Sequence, residues 1–155
     1  MMKYVNTEIV FQEIPNEVTL AINISNCKIR CKDCHSKYLW MNIGTKLTTK
    51  ELSNLINKNK GITCVCFMGG EFPDLYTMSE YIKKNFPDLK IGVYTGYTEC
   101  PIEIYENFDY IKLGPYREER GGLDNPNTNQ ALFEVGKPYK GFIPYNDITY
   151  KLWKQ

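Results

Sequence analysis

Three of the chain's six cysteines, Cys27, Cys31 and Cys34, share the polar run SNCKIRCKDCHSKYLW at residues 25–40 with its one histidine, His35. Thiolates are soft ligands that hold zinc or iron–sulfur clusters. The spacing, C-x3-C-x2-C, puts three such ligands on one tight loop. Zinc ribbons usually draw on two C-x2-C pairs, and no second pair exists here, because Cys64 and Cys66 are one residue apart within an apparent strand. A zinc site completed by His35 is the alternative, although the adjacency of His35 to Cys34 makes simultaneous ligation of one metal ion awkward. In a [4Fe-4S] cluster held by the three cysteines, one iron would keep an open position where an exogenous ligand could bind.

The segments around this loop read as the scaffold of an α/β protein. VTLAINIS (18–25) alternates and is β-branched, so the cysteine loop sits at a strand's C-terminal end. TTKELSNLINKNKG opens with Thr48 and Glu51 at capping-box spacing, places Leu52, Leu55 and Ile56 on one face, and stops at Gly61. ITCVCFMGG is a short apolar run ending in glycines, as a buried parallel strand would be. DLYTMSEYIKKNF carries Leu75, Met78, Ile82 and Phe86 on a helical stripe, and KIGVYTGY reads as the next strand. PIEIYENF begins with Pro101, which a first helical turn tolerates, and DYIKLG is a further strand.

Alternation of this kind predicts a mainly parallel sheet with functional loops at the C-terminal strand ends. A closed eight-unit barrel takes about 250 residues, so the expectation is an incomplete, open β/α barrel formed by one domain spanning residues 1–155. REERGGLDNPNTNQ is loop-like, and DITYKLWKQ is either a last strand or a docked tail.

Composition narrows the function classes. Nineteen basic and eighteen acidic residues leave a formal net charge of +1, which argues against a broad basic nucleic-acid surface. The twelve tyrosines are scattered and show no base-stacking pattern. MMKYVNTEIVFQEIPNEV lacks a long apolar run, so neither a signal peptide nor a membrane span is expected and the cytoplasm is the expected location. There, clustered thiols more often bind metal or do redox chemistry than form structural bridges.

The C-x3-C-x2-C spacing resembles that of the radical S-adenosylmethionine (SAM) superfamily, and MGGE at 68–71 resembles its glycine-rich strand end. CHSKYLW, VYTGY (93–97), YIKLGPYREERGGLDNPNTNQ (110–130) and DITYKLW together look like the activating proteins of the anaerobic, class III ribonucleotide reductase, over most of the chain from about Asn23. The resemblance implies that Cys27, Cys31 and Cys34 ligate a [4Fe-4S] cluster whose electron cleaves SAM to a 5′-deoxyadenosyl radical. It further implies that Asp33 and His35 flank the third ligand beside SAM. Gly69, Gly70 and Glu71 would contact the methionine end, and Tyr94, Thr95 and Gly96 would line the pocket. The implied reaction removes a hydrogen atom from a glycine Cα of the large subunit of the anaerobic ribonucleoside-triphosphate reductase, leaving a stored glycyl radical.

Two positions depart from these patterns. Asp33 stands where many radical SAM proteins carry an aromatic residue, which leaves the adenine contacts unassigned. Ala131 follows NTNQ where a basic residue is expected, which weakens a docking role for that loop. Lys28, Arg30, Lys32 and Lys37 crowd the cluster loop, either as solvated charges or as a means to raise the cluster potential and steer a flavodoxin- or ferredoxin-type electron donor. Cys64, Cys66 and Cys100 are expected to pack rather than ligate. Lys112 and Tyr116 lie near the expected mouth, although a lysine beside Gly-Pro is more often a surface residue. The competing readings are activation of a pyruvate formate-lyase-like glycyl-radical enzyme, a small-molecule radical reaction, and a non-catalytic zinc or redox module.

Overall fold

The computed structural model describes residues 2–30 and 36–153. Its centre is four parallel strands in sequence order: β2 (Thr19–Ile24), β4 (Cys64–Met68), β5 (Lys90–Tyr94) and β6 (Tyr110–Leu113). Between them run α1 (Thr49–Lys58), α2 (Phe72–Asn85) and α3 (Ile102–Asn107). Strand β1 (Lys3–Val10) pairs antiparallel with β2, and the two-residue β3 (Thr45–Lys46) pairs antiparallel with β1. At the other side β7 (Ala131–Val135) and β8 (Tyr145–Asp147) add two more antiparallel pairings, giving the order β3-β1-β2-β4-β5-β6-β7-β8. The expectation of a mainly parallel sheet needs correction. The described sheet is mixed, parallel at its centre and antiparallel on both flanks.

The reason lies in the flanking sequences. KYVNTEIV puts polar and apolar residues on both faces and buries none of them fully, so its period-two signal is weak. A short loop then joins β1 to β2, and such connections make antiparallel neighbours.

All three helices cover one sheet face. Leu52, Leu55 and Ile56 from α1, Leu75, Met78 and Ile82 from α2, and Ile104 from α3 join Ile22, Phe67, Val93 and Ile111 in one core cluster. Each fully buried Leu, Ile or Phe stabilises the fold by about 1.5–3 kcal/mol. The first turn of α1 is closed by Thr48, whose hydroxyl accepts from the Glu51 amide at 3.1 Å.

The opposite face is also dry. Ile14, from the loop joining β1 to β2, folds beneath the sheet and packs fully buried with Cys64, Cys66, Tyr110, Leu132 and Ile148. The C-terminal 3₁₀ turn, Thr149–Leu152, follows β8 and docks here through Leu152, so DITYKLW supplies both the end of a strand and a docked tail. No helix among the described residues is long and apolar enough to cross a membrane.

Candidate functional site

Parallel register brings the strand ends level. Asn23, Met68, Tyr94 and Lys112 pair across β2, β4, β5 and β6, and the ladder continues past them where Gly69 donates to Tyr94 O at 2.8 Å and Thr95 donates to Lys112 O at 3.0 Å. The loops that follow therefore emerge side by side along one edge. From β2 comes the cysteine loop, from β4 Gly69–Gly70–Glu71, and from β5 Thr95–Gly96–Tyr97.

The described part of the cysteine loop is tethered by backbone. The Asn26 amide donates to Met41 O at 2.9 Å and the Cys27 amide to Leu39 O at 2.8 Å, while Ser25 Oγ donates to Ile43 O at 2.6 Å. Asn26 and Arg30 hold left-handed backbone with φ of 60° and 51°, which turns the chain sharply on either side of Cys27. Cys27 is half-buried, and Lys28, Arg30 and Lys37 are exposed. Cys31, Asp33, Cys34 and His35, with Lys32, lie outside the described residues.

Two cavities meet at Cys27. One, of about 190 Å³, is walled by Cys27, Lys28, Gly69, Gly70, Glu71 and Tyr97, among others. The second, of about 170 Å³, has Met68, Tyr94, Lys112, Tyr116 and Gln130 in its wall. They share Ile24, Cys27, Ile29, Gly69, Thr95 and Gly96. Ile29 stands at the boundary against Gly96, where an added Cβ would fall 2.9 Å from Ile29 Cγ2. The two spaces thus form a cleft over the parallel strand ends, interrupted by one aliphatic side chain.

The glycine run and the acidic residue after it line this cleft. Gly69 and Gly70 both adopt φ +107°, a conformation open to glycine and rare for other residues. Glu71 caps α2 with extended backbone but makes no side-chain bond to the helix. Its carboxylate instead accepts from Tyr97 Oη, at 3.3 Å to Oε1 and 3.2 Å to Oε2. Burial and the Glu71 carboxylate push the Tyr97 phenol above its ordinary range.

Thr95 and Gly96 line both cavities, whereas Tyr94 lines only the second. The Tyr94 phenol turns toward the inner face of the sheet and donates to the Glu13 carbonyl. It is therefore separated from Gly70 and Glu71. Tyr97, the last residue of VYTGY, occupies that wall, and the one available signal for it was its place at the end of the same strand-exit motif.

Lys112 is buried rather than on the surface, at 8% exposure. Its Nζ donates to Gly114 O at 2.8 Å and Thr95 O at 3.2 Å and lies 5.9 Å from the Tyr94 ring centroid. Tyr116 is half-buried. The loop of residues 114–130 is tied to itself, with Asn129 Nδ2 donating to Pro115 O at 3.0 Å and Gln130 Nε2 to Gly114 O at 3.3 Å.

Cys64 and Cys66 are fully buried on the inner face, and burial pushes both thiols far above their ordinary range. A buried neutral thiol is a poor ligand and a poor nucleophile. In native protein, Cys64 and Cys66 should resist alkylation by iodoacetamide while Cys27 in the metal-free chain reacts, with labelled peptides read by mass spectrometry. Cys100 is half-buried against the helical core, its thiol also raised by burial.

The parallel strand ends of this α/β domain bring a cysteine loop beside a glycine turn around one cleft. Residues 17–119 match the family model described as a 4Fe-4S single cluster domain. That stretch exceeds half of the 155 residues, and the chain belongs to this family of iron–sulfur proteins. No curated protein and no solved structure matches it. The donor set fits the group: Cys27 lines the cleft from a turn whose Asn26 and Cys27 amides are bonded to Met41 O and Leu39 O, and Cys31 and Cys34 follow in the sequence at C-x3-C-x2-C spacing.

Proposed function

We propose that this iron–sulfur protein is a radical SAM activase for the anaerobic ribonucleoside-triphosphate reductase. The observation that carries the reading is the cleft itself, in which Cys27 lies across from Gly69, Gly70 and Glu71. When bound, the [4Fe-4S] cluster would supply one electron and an iron corner free of cysteine.

The chain's own residues account for holding SAM. Gly69 and Gly70, both at φ +107°, let the main chain turn so that it lines the cavity where the methionine end would sit. Glu71 is an acceptor for the SAM ammonium. Thr95 and Gly96 bound the same space from β5, and Cys31, Cys34, Asp33 and His35 complete the reading from the sequence. With SAM held there, the chemistry supplied would be one-electron cleavage of its C5′–S bond to methionine and a 5′-deoxyadenosyl group that would remove a hydrogen atom from a glycine Cα of the reductase large subunit.

Several features of the fold support the reading. Consecutive parallel strands with the described crossover helices on one face are the arrangement that a partial β/α barrel would need. The exposed Lys28, Arg30 and Lys37 give an acidic flavodoxin- or ferredoxin-type donor a positively charged approach to the cluster loop.

The decisive experiment is anaerobic. The chain loaded with iron and sulfide should turn brown, cleave SAM, and raise a glycyl-radical doublet in electron paramagnetic resonance when mixed with the reductase large subunit. A doublet formed only with a pyruvate formate-lyase-like partner would move the assignment to that class of activase. Zinc in place of iron, without SAM cleavage, would end it.

A further inference from the structure

We propose that Tyr97 is a positioning residue for SAM, fixing the Glu71 carboxylate that receives the ammonium; this rests on the function just proposed. Glu71 stands at the N-terminal boundary of α2, where the unpaired amides of the first helical turn attract any carboxylate within reach. Yet the Glu71 side chain makes no capping bond. It is held across the cavity by the Tyr97 hydroxyl, which reaches both of its oxygens at 3.2–3.3 Å.

Tyr97 is itself well fixed. Its amide donates to Thr95 Oγ1 at 3.2 Å and its carbonyl accepts from the Gly114 amide at 2.8 Å. Its ring rests on Phe72 with centroids 5.2 Å apart. The exit of β5 thus aims a phenol at a carboxylate delivered by the exit of β4, and both line the cavity that contains Cys27. An ionised carboxylate offers about four lone-pair sites. One donor from Tyr97 orients it and leaves acceptor capacity for an ammonium. Without the phenol, Glu71 would be free to turn back to the amides of α2.

The test is a double-variant cycle on cluster-loaded protein, with the SAM dissociation constant as its readout. Tyr97→Phe keeps the ring on Phe72 and removes one oxygen. It should weaken SAM binding about tenfold, the size expected when a hydrogen bond to a charged group is lost. Glu71→Gln should weaken binding at least as much, and the double variant should stay within about twofold of Glu71→Gln, because Tyr97 acts through Glu71. The cluster absorbance and thermal midpoint of Tyr97→Phe should match wild type.

Binding by Tyr97→Phe that equals wild type, or losses that multiply in the double variant, would overturn the proposal. Loss of the cluster in Tyr97→Phe would overturn it too, since Tyr97 would then be holding the cysteine loop. Wild-type binding of SAM is the separate control. If loaded wild type takes up no SAM, the activase reading fails first, whatever Tyr97 does.

Discussion

Cys27→Ala is expected to abolish iron incorporation and SAM cleavage while leaving the chain folded. Cys27 is half-buried on the cleft wall rather than within the core. The turn that presents it is held by main-chain bonds, from Asn26 to Met41 O and from Cys27 to Leu39 O, which an alanine keeps. Unfolding of the metal-free variant should therefore shift by no more than about 0.5 kcal/mol, as for a substitution outside the core. Iron binding should behave differently. If Cys27, Cys31 and Cys34 hold the single 4Fe-4S cluster as proposed, removing one thiolate takes away a corner, and iron content should fall from four atoms per chain to background. Cleavage of SAM should drop by about a thousandfold or more, equivalent to about 4 kcal/mol of barrier. Four retained irons with undiminished cleavage would show that other residues hold the cluster.

That contrast between ligand and scaffold also explains what the sequence could disclose. The cysteine spacing and the glycine run are local signals, because a tight turn with soft ligands, or a chain with no Cβ, leaves a mark within a few residues. The three helices lie where caps and apolar spacing place them, from the Thr48 cap of α1 to Pro101 before α3. Strand β1 was not legible, since its residues are half-buried or exposed and carry no clean alternation. Strands β7 and β8 were obscured by the long polar loop before them and by an exposed YND at the sheet edge.

The site shows the same division. Lys112 is buried because two carbonyls, one from β5's exit and one after β6, converge on its ammonium. Nothing in KLGP announces that convergence. Likewise Tyr97 meets Glu71, a residue 26 positions away in sequence, only once the fold is formed. Tyr94 has the stronger local claim as a strand-end aromatic, but the β pleat sends its phenol to the face opposite the helices, where it lines the second cavity and leaves the wall beside Gly70 and Glu71 to Tyr97.

Gly70→Ala should combine a fold defect with a binding defect, and Gly69→Ala separates the two causes. Both glycines sit at φ +107°, so either alanine is strained by about 1–3 kcal/mol. They differ in the space around the new methyl. At Gly69 the nearest atoms are the Ile24 carbonyl oxygen at 3.5 Å and Ile24 Cβ at 3.6 Å, ordinary contact distances. At Gly70 the methyl would lie 2.7 Å from Met2 Sδ and 3.1 Å from Leu75 Cδ2. Met2 can swing its thioether away, but Leu75 is fully buried in the helical core and can give only by shifting α2. Overpacking of this kind costs about 1–3 kcal/mol more. The expected result is a urea-unfolding stability for Gly70→Ala lower than that of Gly69→Ala by about 2 kcal/mol. Because Glu71 is the N-cap of α2, the same shift would carry its carboxylate off the Tyr97 hydroxyl, and SAM affinity should fall by more than about tenfold. Equal stability of the two variants would mean that Leu75 and α2 yield without cost, and the binding loss assigned to Gly70 would then have to come from the backbone turn alone.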